Sequence, residues 1–221
     1  GYRYFHSFRH FVGTEEQKQR VDDQTDVRNY QHAVDLTVIR NINTRWSVAV
    51  NLPLLSNRRS SLYEHYGNSS TNQNARQATR SIGVGDLRIS AAHWLLDPLL
   101  SPKANIQVGL GLKLPTGDYR YQDFFVKNDS TKILGPVDQS IQLGDGGTGI
   151  SLEVNGYYIF SQVISVYGNI YYLSNPREHN GVSTARGGAV STVSIANGSS
   201  VMSVPDQFML RGGANFMFGG F

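Results

Sequence analysis

Ala104-Asn105-Ile106-Gln107-Val108-Gly109-Leu110-Gly111-Leu112-Lys113-Leu114 is the stretch that decides how this chain folds. Ile106, Val108, Leu110, Leu112 and Leu114 recur at every second position, and Gln107, Gly109, Gly111 and Lys113 between them are small or polar. Period-two alternation belongs to a strand, because successive side chains of an extended backbone leave on opposite faces. One face here is aliphatic and the other is not. The run is also long enough to cross a bilayer as a tilted strand, which takes about 9–11 residues.

Working outward, the same pattern recurs. Trp46, Val48, Val50, Leu52 and Leu54 alternate with Ser47, Ala49 and Asn51; Ile150, Leu152, Val154, Tyr158 and Phe160 alternate with Ser151, Glu153, Asn155 and Tyr157. Phe208, Leu210, Ala214, Phe216 and Phe218 alternate with Gln207, Arg211 and Asn215. Eight strands are predicted, over 2–12, 27–40, 45–56, 82–95, 104–115, 149–161, 163–174 and 206–218. Their connections alternate in length: short near 41–44, 96–103 and 161–163, long near 13–26, 57–81, 116–148 and 175–205. Transmembrane barrels combine short turns at one rim with long loops at the other, whereas a soluble sandwich has no reason to put every long loop at one end. The fold class expected is therefore all-β: one antiparallel up-and-down transmembrane barrel domain over 1–221, of at least eight strands, in a bacterial outer membrane.

Composition agrees with that class and excludes others. Of 221 residues 17% are charged and 39% hydrophobic, with a mean hydropathy of −0.32. A bundle of membrane helices would be far more apolar, but a barrel need turn only alternate residues to lipid. The most apolar run, Trp94 to Leu100, is broken by Asp97-Pro98. No signal peptide is visible at the start, so an exported protein would be represented here by a mature or trimmed chain. With no Cys there are no thiolate ligands, Cys nucleophiles or disulfides. The 20 Lys and Arg are scattered and the net charge is +3, which argues against a nucleic-acid partner.

Several segments carry a family likeness: Asn41-Ile42-Asn43-Thr44-Arg45-Trp46-Ser47 through Leu52-Pro53, Gly83-Val84-Gly85-Asp86-Leu87, Gly109 through Gly117-Asp118 with its Leu112-Lys113-Leu114-Pro115-Thr116, and Gly144-Asp145-Gly146-Gly147-Thr148-Gly149. The series resembles the outer-membrane barrel family named as transporters and linked by name to the meta-cleavage pathway of phenol degradation. The resemblance covers residues 40–160 well and the flanks by pattern alone. It implies a barrel that passes small, including hydrophobic, compounds. The chain departs from the family in its long loops at 119–143 and 175–204. Family members are longer, with further strands. Phe216-Met217-Phe218-Gly219-Gly220-Phe221 reads either as a terminal aromatic strand or, as preferred, with Gly219-Gly220 turning into a ninth strand. Eight strands enclose an interior just filled by side chains, and a channel needs more.

Alternation assigns the lumen-lining side chains: Asp35, Asn51, Asp86, Arg88, Gln107, Lys113, Glu153, Asn155, Tyr157, Asn169, Arg211 and Asn215, with Tyr171 and Gln207 on the same faces. Both signs of charge occur among them. They are read either as a paired plug, since buried charges need partners, or as a selectivity lining. Aromatic residues near strand ends (Tyr2, Tyr4, Trp46, Trp94, Tyr157, Tyr158, Phe160, Tyr171, Tyr172, Phe216 and Phe218) are expected to form interfacial girdles. Pro53 is expected at a bulge or at the outer rim, and the strand glycines are expected to supply curvature.

Chemistry-bearing motifs are weak. His6 and His10, on one face of the first predicted strand, would stand about 13 Å apart, too far to share an ion. Asp22, Asp23 and Asp26 lack the spacing of a calcium loop, and Gly144-Asp145-Gly146-Gly147 lacks the Lys-Ser/Thr of a phosphate loop. Ser90 and His93 fall on opposite faces of one strand, and no Gly-x-Ser-x-Gly elbow occurs. No catalytic, metal or cofactor site is assigned, and an enzyme is not expected. Arg58, Arg59, Arg76 and Arg80, flanking one outer loop, are candidates for lipid phosphates. Expected partners are outer-membrane lipid and lipopolysaccharide, and an envelope protein met through the long loops. Asp129-Ser130-Thr131 resembles an O-glycosylation acceptor.

Overall fold

The alternating segments pair in chain order into one antiparallel sheet curled into a half-barrel. The computed structural model describes residues 1–12, 14–185 and 189–218; Gly187-Gly188 and the expected turn at Gly219-Gly220 with Phe221 lie outside them. The sheet's strands are β1 (Tyr2–Ser7), β2 (Arg28–Asn41), β3 (Trp46–Ser61), β4 (Gln77–Val84), β5 (Leu87–Trp94), β6 (Ala104–Leu114), β7 (Gly149–Ile159), β8 (Ile164–Ser174) and β9 (Gln207–Phe216). Strands β4 and β5 lie end to end against β3, so nine segments occupy eight positions. Among the described residues, the outer edges of β1 and β9 pair with no strand.

The register puts the aliphatics of neighbouring strands side by side. Across the sheet run Val38, Val50, Ile89, Leu112 and Ile150 in one row, and Ala91, Leu110, Leu152, Tyr172 and Phe208 in another. Leu110 is 61% exposed and Phe208 69%, so this belt is the outer surface of the sheet. All short connections lie at one rim and all long ones at the other.

Boundaries differ from the sequence expectation where the loops begin. β1 stops at Ser7, so His10 leaves the strand and instead accepts a hydrogen bond from Val27 N–H at 3.0 Å. β3 and β4 extend beyond the predicted strands to Ser61 and back to Gln77, carrying Arg58, Arg59 and Arg80 into the sheet. Polar side chains on both faces of these extensions hide them from a hydropathy reading.

Pro53 marks a bulge, well inside β3 rather than at the rim. Leu54 pairs with Val84 and Asn51 with Arg88, so Leu52 and Pro53 face Gly85, Asp86 and Leu87. Gly85 N–H donates to the Pro53 carbonyl at 2.7 Å, and the extra residue reverses which positions face outward. Trp94 therefore turns inward, where its ring meets Tyr157 edge-on at 5.8 Å. Tyr157 and Tyr171, read both as lumen-facing and as part of a girdle, lie with Trp94 on the inner face. Trp46, Tyr158 and Tyr172 remain on the outer one.

Candidate functional site: the polar inner face

The upper half of the concave face is filled by the connection between β6 and β7. After a hairpin (Gln122–Val126 with Lys132–Pro136), the chain enters the half-barrel as a single 3-10 turn, Gln139–Ile141, capped by Asp138, which accepts Ser140 N–H at 2.9 Å. Val137, Ile141 and Leu143 are buried. Inner-face amides and hydroxyls hold this segment by its carbonyls: Gln31 donates to Ser140, and both Asn57 and Ser81 donate to Ile141. Two glycines also serve close packing here. A Cβ on Gly117 would stand 2.4 Å from the Leu143 carbonyl oxygen, and one on Gly83 would stand 2.8 Å from Leu143 Cδ1. These positions let two chain segments pass closely.

Lys113 fixes the same segment from below. It is 2% exposed, its ammonium donates to Asp145, and Asp86 lies 3.9 Å away. Asp86 in turn accepts Gly117 N–H at 3.0 Å and Asp145 N–H at 3.3 Å. The Asp145 turn is clasped by the last long connection: Asn180 donates to the Asp145 carbonyl, and Arg177 to that of Gly146. A second buried ion pair, Arg59–Glu64 at 2.9 Å with Asp138 at 3.5 Å, ties the β3 end to the inward segment.

Below the plug the inner face is open and polar. Gln107, Asn155, Asn169 and Arg211 make a ribbon across β6–β9: Asn155 donates to Gln107 at 3.3 Å, Asn169 to Asn155 at 2.7 Å, and Arg211 to Asn169 at 3.2 Å. Asn169 also donates to Glu153 at 2.6 Å, so it stands between a carboxylate and a guanidinium that form no ion pair with each other. A hollow of ≈ 640 Å³ opens here, lined by Trp94, Asn155, Tyr157, Asn169 and Arg211 among others.

The strand register thus puts Asp35, Asn51, Arg88, Gln107, Lys113, Glu153, Asn155, Tyr157, Asn169, Arg211 and Asn215 on one face, and Asp86 reaches the same side from the bulge. They do not act as one cluster. Asp35 is engaged by Arg3 of β1 at 2.7 Å, Asn51 by Thr37 at 2.8 Å, and Asn215 by Ser165 at 3.3 Å. Pairing and lining coexist: Lys113 and Asp86 belong to the plug, Glu153 and Arg211 to the open half.

At the long-loop rim, His65 is buried against Phe125 and accepts Val126 N–H on Nδ1 at 3.1 Å. Burial pushes its pKa below the ordinary value, outweighing the opposite pull of Glu64. Asp129 accepts Tyr66 O–H at 2.7 Å and Asn72 at 3.0 Å, so it clasps one long loop to another. Asp26, from the acidic cluster, is shared by Arg28 and Arg76. Among the described residues, no group of three or more His, Asp or Glu is arranged to hold a metal ion. No family model matches this chain, and no curated protein matches it.

Proposed function

We propose that this chain is an outer-membrane β-barrel protein whose polar inner face gives small molecules a passive path across the membrane. The observation that carries this reading is the outward apolar belt. It runs from β2 to β9 with side chains such as Val38, Leu110 and Leu210 more than half exposed. Contiguous apolar surface of this extent is rarely left in water, and a strand-built belt opposite a polar face is the arrangement a lipid-embedded barrel requires. The family resemblance over 40–160 extends the reading to small, including hydrophobic, permeants.

The inward β6–β7 connection favours a second reading, in which the interior is closed and the long loops meet an envelope partner. Single-channel conductance separates the two. Protein extracted intact from its native membrane into a planar bilayer should show discrete openings, with ion selectivity altered by charge reversal at Arg211 or Glu153. A folded, inserted but silent protein would remove general diffusion and leave the closed reading.

A further inference from the structure

We propose that the outer face of β2, β3 and β4, just beyond the apolar belt at the long-loop rim, binds the phosphate of a membrane-lipid headgroup. The proposal rests on the membrane reading above. Along β3 the outward residues are apolar from Trp46 to Leu54, then become Ser56 and Arg58. Arg58 lies four residues beyond Leu54, which is ~13 Å along the strand and ~10 Å along the membrane normal at a barrel's usual tilt. That is headgroup depth.

At this level Arg58 pairs directly with Arg80 of β4. Two like charges opposite each other in a sheet repel. The arginines nearest in this part of the rim have carboxylates: Arg9 has Glu16, Arg28 and Arg76 share Asp26, and Arg59 has Glu64, while Arg20 and Arg177 are engaged by Gln17 and by backbone carbonyls. Among the described residues, neither Arg58 nor Arg80 has a carboxylate within ion-pair distance of its guanidinium. Asp123 accepts the backbone N–H of Arg80 at 2.7 Å and forms no ion pair with its guanidinium. The pair borders a hollow of ≈ 520 Å³ that also takes in Tyr30, His32, Ser56 and Ile82. Arg58 lies over the Tyr30 ring at 5.7 Å, Tyr30 is stacked on His6, and Tyr2 O–H bonds His32. Two forked donors, a hydroxyl and aromatic walls suit a phosphate group that brings an acyl region down over Ile82. A phosphate between the guanidiniums would turn their repulsion into two charge-assisted contacts.

The test uses wild type, R58Q/R80Q and R40Q, each refolded into phosphatidylcholine vesicles containing a small fraction of phosphatidic acid. Arg40 is exposed at the short-turn rim, and its substitution controls for the loss of a basic side chain away from the proposed site. Protease protection reports insertion, and native mass spectrometry counts retained phosphatidic acid. Wild type and R40Q should retain it, R58Q/R80Q about tenfold less, and excess inorganic phosphate should not displace it. Equal retention in all three, or an equal loss in R40Q, overturns the proposal. Displacement by inorganic phosphate overturns the lipid source. Failure of wild type to insert overturns the membrane reading, and is seen separately from lipid retention.

Discussion

Arg88 on β5 and Gln207 on β9 approach to 3.5 Å although four strand spacings separate them in the sheet. Measured along the sheet that separation is ~19 Å, so the side chains meet only because the polar face is concave. The chain has no Cys, which makes the curvature simple to probe. A bismaleimide clearly shorter than the ~19 Å arc should link R88C to Q207C in the folded protein. A flat sheet would leave the pair unlinked.

The belt makes a prediction opposite to that for an ordinary surface. Leu110 is 61% exposed, and substitution of such a residue on a water-facing surface costs within about 0.5 kcal/mol. If the surface is lipid, Leu110→Arg near the middle of the belt should cost about 2–4 kcal/mol. Urea unfolding in phospholipid vesicles measures the difference.

Lys113 anchors the inward segment through Asp145 and Asp86. Removing one partner of a buried ion pair strands the other and costs about 3–5 kcal/mol. Lys113→Met should therefore destabilise the protein by that order and speed hydrogen exchange at the Gly117 amide, which donates to Asp86. Adding Asp145→Leu should recover most of the loss.

The clasp at His65 should respond to pH. Its folded pKa lies below the ordinary 6.5 because burial disfavours the charged ring. The unfolded loop then binds the proton more readily, so the stabilisation is complete above about pH 6.5 and falls as pH drops from there through the folded value. Protonation also removes the acceptor used by Val126 N–H. Protection of that amide, corrected for intrinsic exchange, should fall on acidification, and His65→Asn should flatten its pH dependence.

The strands were legible because an apolar face on one side and a polar face on the other impose a strict period of two, and β6 shows it without interruption. The polar inner residues followed from the same alternation, as did the long and short rims. The bulge at Gly85-Asp86-Leu87 was signalled only by Pro53, and its consequence, Ile82 and Val84 on the face opposite Arg88, needs the register itself. The plug was not legible. Val137, Ile141 and Leu143 carry no periodicity, because they are held by carbonyl contacts to Gln31, Asn57 and Ser81 from strands far away in sequence. Lys113 and Asp86 could be read as charges needing partners, but Asp145 sits in a Gly-rich turn whose position depends on both long connections.

The central claim, that one face of this sheet meets lipid and the other does not, is tested most directly by the two tryptophans. Trp46 lies on the outer face at the short-turn rim, and Trp94 on the inner face against Tyr157. In vesicles of lipids brominated along the acyl chain, W94F, which keeps Trp46, should be strongly quenched, and W46F, which keeps Trp94, should be largely spared. Equal quenching of both, or none of either in a folded protein, would contradict the account.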